Sequence, residues 1–252
     1  MTKRIALIVL TLFLLAVPVA ADGNLLRNGD FDGPTYLWRG QNEVELPDGW
    51  TEFWWRQSKE YDGRPEIKSA VSWGFPDGSN PTLLKAFTTF RQHRYRIGQR
   101  VEVHPGAVYR LTARVWCWSS DDDAPWESDD GGSYRSRIGV QDDTGIYWST
   151  PSPGVKAMDR WVVHKVEYTA TQSEVVVLIE GDAEWALKHG DAYWDWVRLE
   201  MIAPPPDDLE PRIEELESIV VQQTAQIRAL ETLIQNQGEQ LNALLKWARQ
   251  AP

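Results

Sequence analysis

Trp116 and Trp118 stand two residues apart in VYRLTARVWCW (Val108–Trp118), and Arg114 precedes them by the same step. An indole offers a large flat face and a single N–H donor, and a guanidinium offers a planar fork of N–H donors. Together they suit a ligand with C–H faces and hydroxyl edges, which is the chemistry of a sugar ring. Trp54 and Trp55 in EFWWRQ (Glu52–Gln57) are a second pair of this kind. Trp185, Lys188 and His189 precede the last apolar segment and add a third group. Arg135 and Arg137 in YRSRIGV (Tyr134–Val140) would extend the Trp116 face if their strands are neighbours. The chain holds 14 tryptophans, more than one β-sandwich core needs, so part of the set is expected on a contact surface.

The elements that must hold these residues read as β. In Val108–Trp118, Tyr109, Leu111, Ala113, Val115 and Cys117 share one face, while Arg110, Thr112, Arg114, Trp116 and Trp118 share the other. That period of two marks a strand with one face in a core. SRIGVQ (Ser136–Gln141) repeats the alternation, EVVVLIEG (Glu174–Gly181) is a more buried β-branched run, and DAYWDWVRLEM (Asp191–Met201) closes the region. Turn signals at Pro47–Gly49, Pro76–Gly78 and His104–Gly106 separate the strands. Many short strands with regular turns predict a sandwich or barrel.

The flanks differ in kind. Lys3, Arg4, the apolar run Ile5–Leu15 and small residues at Val19 and Ala21 predict a signal peptide over residues 1–21, hence secretion and no membrane attachment after cleavage. The β domain is expected over 22–202. A proline spacer follows at 203–208. Residues 209–250 carry a heptad repeat: Leu209, Leu216, Gln223, Leu230, Gln237 and Leu244 alternate at 3–4 spacing with Ile213, Val220, Ile227, Ile234, Leu241 and Ala248. That pattern predicts a coiled coil. Leu at d and Ile or Val at a favours two parallel strands, but Ile219, Leu233 and Trp247 at g widen the stripe, so a parallel trimer is expected, with a dimer as the alternative.

Composition narrows the function. Net charge is −11, falling by two to −13 on loss of Lys3 and Arg4. Such a chain repels phosphate backbones, which argues against nucleic acid as a partner. The one cysteine, Cys117, permits no intrachain disulfide and falls on the core face. His93, His104, His164 and His189 form no metal-binding pair pattern, and no nucleophile elbow occurs, so the chain is not expected to be an enzyme. His164 shares a face with Val162, Val166 and Tyr168 and reads as a partnered core histidine. The acidic run Ser119–Gly132 reads as a solvated loop at the rim of the Trp116 surface.

NLLRNGDFDG (Asn24–Gly33) followed by LPDGW (Leu46–Trp50), together with the closing strand AYWDWVRLE (Ala192–Glu200), resembles the two ends of carbohydrate-binding modules in the galactose-binding-like jelly-roll superfamily. RPEIK (Arg64–Lys68) and KHGDAYWD (Lys188–Asp195) add to the likeness. The resemblance spans roughly Asn24 to Glu200. It implies an all-β jelly-roll sandwich, here followed by a C-terminal α-helical coiled coil. It also implies a non-catalytic protein that binds a polysaccharide or cell-surface glycan, and a structural Ca²⁺ between Asp32 and Asp195. The sequence departs from that pattern at Asp32, where a Glu is usual, and at Trp196, where a second Asp is usual. Two other classes are open: a structural or adhesive surface protein, and a small glycan-active lyase.

Overall fold

The computed structural model describes residues 23–250 except 59, 61, 124–125, 130–132, 153–157 and 207–208. The expected signal peptide lies outside the described residues. The strands are β1 (Thr35–Leu37), β2 (Glu45–Pro47), β3 (Glu52–Trp55), β4 (Glu66–Ser72), β5 (Thr82–Thr88), β6 (His93–Glu102) and β7 (Val108–Ser120). They continue as β8 (Tyr134–Gln141), β9 (Ile146–Trp148), β10 (Trp161–Thr169), β11 (Glu174–Ala183) and β12 (His189–Ala203), before the helix α1 (Leu209–Gln250). Two five-stranded sheets form a sandwich, one ordered β10-β7-β12-β5-β4 and the other β3-β6-β11-β8-β9, with β1 and β2 as a small hairpin. All strand pairs are antiparallel. The fold is the all-β jelly-roll sandwich expected from the sequence, with one C-terminal helix.

The period-two pattern of β7 does what its residues require. Tyr109, Leu111, Ala113, Val115 and Cys117 are buried against Tyr95, Ile97, Ile138, Val140, Val177 and Ile179 of the opposite sheet. Each large apolar side chain buried this way contributes about 1.5–3 kcal/mol before the entropy cost is counted. Trp194 and His93 are paired where they are buried: Trp194 Nε1 donates to Tyr95 Oη at 2.9 Å, and His93 bridges Thr88 Oγ1 (2.8 Å) and Tyr134 Oη (3.1 Å). Burial depresses the His93 imidazole to about 3, so it is neutral. His164 is the partnered core histidine the sequence predicts, 3.0 Å from Ser136 Oγ and depressed by burial to about 4. Burial pushes the Cys117 thiol up to about 12.

The opening stretch ties the first segment to the last strand. The Leu25 amide donates to Leu199 O at 2.8 Å, and the Val197 amide to Gly29 O at 2.8 Å. The Asn24 carboxamide spans the seam, with Oδ1 accepting from the Leu199 amide (2.9 Å) and Nδ2 donating to Val197 O (3.1 Å). A Cβ on Gly29 would sit 2.4 Å from Val197 O, so the close approach needs glycine.

One topological expectation is corrected. β8 is not a neighbour of β7: β7 lies between β10 and β12, whereas β8 lies between β11 and β9 in the other sheet. The segment after Ser120 crosses from sheet to sheet. Arg135 and Arg137 are therefore on the opposite outer surface from Trp116 and Trp118.

Every described side chain of α1 between Pro211 and Asn242 is exposed, including Leu216, Val220, Ile227, Leu230, Ile234 and Leu241. The sandwich does not cover these side chains. Trp247 lies outside the described side chains. No described helix is long and apolar enough to cross a membrane.

Candidate functional site

The outer face of the second sheet carries one row of side chains across its strands. Register sets Trp54 of β3 opposite Arg96 of β6, Arg96 opposite Glu180 of β11, and Glu180 opposite Arg137 of β8. Neighbouring strands lie about 4.8 Å apart, so the row is continuous. Trp148 of β9 completes it. A Cβ at Gly139 would come within 2.6 Å of the Trp148 ring, so glycine at that position lets the indole lie over β8.

The row is an alternating stack. The Arg96 guanidinium carbon lies 5.0 Å from the Trp54 ring centroid and 5.1 Å from that of Trp148, and the Arg137 guanidinium carbon is 3.9 Å from the Trp148 centroid. Cation–π contacts of this kind contribute roughly 0.5–2 kcal/mol each. Glu180 holds the arginines from below. Its carboxylate accepts from Arg94 Nη2 (2.9 Å), Arg96 Nε (2.7 Å) and Arg137 Nε (2.5 Å), and its side chain is only 4% exposed. Burial raises the Glu180 pKa, but the hydrogen bonds from Arg137, Arg96 and Arg94 outweigh it and hold the group below the ordinary carboxylate range. Trp54 is 45% exposed. Beside it is a groove of about 250 Å³ lined by Phe53, Trp54, Arg96, Arg100, Gln141 and Leu178. Larger hollows at Glu102–Pro105 and around Arg64 and Phe87 have no tryptophan in their lining.

The outer face of the first sheet is covered at its centre, with Trp73 left 42% exposed at the side. Trp116 and Trp118 are 4% and 5% exposed. Phe75, from the β4–β5 connection, lies 5.2 Å from Trp116 and 4.6 Å from Trp161, and Trp126, from the acidic segment, lies 4.4 Å from Phe75 and 5.6 Å from Trp116. Lys85 packs beside them, with its ammonium 4.4–5.2 Å from the rings of Phe87, Tyr193 and Trp73 and 2.9 Å from Asp191. Arg114 stacks on Trp161 at 4.1 Å.

Among the described residues of the acidic segment, Asp121 and Asp123 are exposed but bonded to Lys188 and His189. Asp121 Oδ1 accepts from the Lys188 amide (2.9 Å), and Asp123 accepts from Lys188 Nζ (2.6 Å) and sits 3.1 Å from His189 Nε2. His189 stacks on Trp118 at 4.3 Å, and Trp118 Nε1 donates to Glu127 O. Lys188 and His189 thus hold the cover of the first sheet.

The ten expected ligand residues therefore separate. Trp54 and Arg137 join in the open row, with Arg135 beside it paired to Glu184 (3.3 Å). Trp55 points inward and packs on Phe53 and Trp38. Trp185 is exposed between β11 and β12. Arg114, Trp116, Trp118, Lys188 and His189 belong to the closed face. Arg94, Arg96, Trp148 and Glu180 are added to the site by the structure. HRYRIGQR (His93–Arg100) alternates with period two and sets Arg94, Arg96 and Arg100 on one face, which is the signal that would have found two of them.

The two expected calcium ligands differ in their surroundings. Asp195 sits at a register shift in β12 and accepts from Arg114 Nη1 at 2.8 Å. Burial raises its pKa against the lowering by Arg114. A guanidinium already neutralises that carboxylate, and Asp32 is exposed. Among the described residues no group of three or more His, Cys, Asp or Glu side chains is placed to hold a metal ion.

No known family profile matches the chain, and no curated protein matches it. Among solved structures it is similar to the carbohydrate-binding module TmCBM61 in complex with β-1,4-galactotriose, at 12% identity over 71% of this chain and 98% of that one, with a TM-score of 0.42. It is similar to a family 16 carbohydrate-binding module at 17% identity over 70% and 99%, with a TM-score of 0.38. A third similar structure is the CBM22-1 xylan-binding domain from Paenibacillus barcinonensis Xyn10C, at 14% identity over 73% and 99%, with a TM-score of 0.38.

Proposed function

We propose that the chain is a secreted, non-catalytic glycan-binding protein whose binding surface is the outer face of the second sheet. The observation that carries this is the open Trp54–Arg96–Trp148–Arg137 stack. An exposed indole is held in place by an arginine that a buried carboxylate fixes in turn, so little side-chain freedom is lost when a sugar ring stacks on it. The adjacent groove supplies a polar edge from Gln141. Single-site affinity is set by one or two stacked rings and is expected around 10⁻³ to 10⁻⁵ M, about 4–7 kcal/mol.

The tail supports multivalent display. The uncovered a and d residues of α1, with Ile219 and Leu233 at g, suit association with other copies as a parallel trimer. A helix of 42 residues spans about 63 Å at 1.5 Å per residue. Pro205 and Pro206 lie against Gly106, so the spacer leaves the sandwich along the turn that follows β6. Clustered weak sites gain roughly 10² to 10⁴ in avidity on a repetitive polymer. A glycan array probed with the chain lacking residues 1–21 tests the reading. Binding to at least one glycan, lost on Trp54→Ala with an unchanged melting temperature, is expected. Binding that survives this substitution would place the site elsewhere.

A further inference from the structure

We infer that the sugar bound on the second sheet is acidic, carrying a carboxylate, an inference that rests on the site proposed above. A surface for neutral sugars must offer both donors and acceptors, because each hydroxyl is both. Here the carboxylates are already engaged. Glu180 is buried beneath Arg94, Arg96 and Arg137. Glu52 and Glu174 both accept from Arg100, at 2.9 and 3.1 Å. Asp182 lies 3.4 Å from Arg56 Nη1.

The donors, in contrast, are left over. Arg96 and Arg137 each direct only Nε at Glu180, and no hydrogen bond from their terminal Nη groups occurs among the described residues. The Nη1/Nη2 edge of a guanidinium matches a carboxylate in bidentate fashion. Stacking on Trp148 and Trp54 holds both forks in position, and the part of Trp54 that stays exposed is left for the sugar's C–H surface.

Charge agrees. Arg94, Arg96 and Arg137 all donate to the one carboxylate of Glu180, so positive charge is in excess at that point. That point favours an anion on a chain whose net charge is −11. At physiological ionic strength the Debye length is about 8 Å, so this local excess governs the contact more than the distant acidic charge does.

The test compares a charged polymer with its own uncharged ester, with a second uronate polymer and a neutral galactan alongside, using the chain without residues 1–21. Polygalacturonate and alginate are titrated alongside methyl-esterified polygalacturonate and neutral galactan at 50 and 300 mM NaCl. The uronate polymers are expected to bind at least about tenfold more tightly than the ester and the galactan. That advantage should shrink at high salt and vanish in Arg137→Gln. The comparison of polymer with ester needs no variant, so it stands even if Arg137→Gln folds poorly. Equal binding of the charged and neutral polymers, lost in Trp54→Ala, overturns the acidic preference and leaves the glycan site intact. Binding of neutral polymers alone overturns it as well. Binding of any of them that Trp54→Ala does not weaken overturns the proposed site itself. Failure of both uronate polymers to bind overturns the inference.

Discussion

Replacing Glu180 by Gln keeps the side chain's shape and removes the charge that three arginines share. Three charge-assisted hydrogen bonds, at 2.9, 2.7 and 2.5 Å, converge on the wild-type carboxylate. The amide can accept with one oxygen only, and its NH₂ faces guanidinium donors. Removing one partner from a buried ion pair costs about 3–5 kcal/mol. The arginines here are 20–29% exposed and rehydrate in part, so the loss is set lower, at about 2–4 kcal/mol. For a domain of this size that is a fall of roughly 5–15 °C in melting temperature. The pH dependence supplies a second readout. The Glu180 pKa is depressed in the folded state, so its contribution is complete above the unfolded value near 4.5 and disappears as pH falls through the folded value. Calorimetric melts at pH 7 should separate wild type and Glu180→Gln, and the gap should narrow as pH falls below the unfolded value and through the lower folded one. A variant that melts within 2 °C of wild type at pH 7 would refute the idea that this carboxylate organises the face.

Further outcomes are expected elsewhere in the molecule. Phe75→Ala removes the ring that covers Trp116 and Trp161 and should cost about 3 kcal/mol, read as a drop in denaturation midpoint at constant m; an unchanged midpoint would mean the first sheet is not sealed by this side chain. Because Asp195 is paired with Arg114, chelator should leave the melting temperature unmoved, and a calcium-dependent rise abolished by Asp195→Ala would restore the ion to that seam. In sedimentation equilibrium the chain from residue 22 onward should run as a trimer and a chain ending at Pro206 as a monomer; a monomeric full chain at tens of micromolar would remove both the helical bundle and the avidity argument.

The fold was largely legible because its signals are local. The alternation of Tyr109 through Trp118 marks one buried and one outer face, and Asn24 and Gly29 sit in a motif that pairs with the segment around Val197 and Leu199. The site was legible only in part, because its assembly is not local. Whether Trp116 is exposed depends on Phe75, 41 residues earlier, which lies over it and which no periodicity reveals. Arg137 would share a surface with Trp116 only if their strands were neighbours, and the fold sends those strands to opposite sheets. Glu180 is hidden within an apolar run, and its meaning appears only when register sets Arg96 on one side of it and Arg137 on the other.

The central claim is that ligand binds on the second sheet and not the first. Isothermal titration of one glycan that binds the wild-type chain, into Trp54→Ala and Trp118→Ala in parallel, tests it most directly. Trp54 is half exposed, so its loss should abolish measurable binding and leave the melting temperature within about 2 °C. Trp118 is buried beneath Trp126 and His189, so its loss should lower the melting temperature and leave the dissociation constant within about twofold. The reverse pattern, with binding lost in Trp118→Ala and kept in Trp54→Ala, would contradict the account.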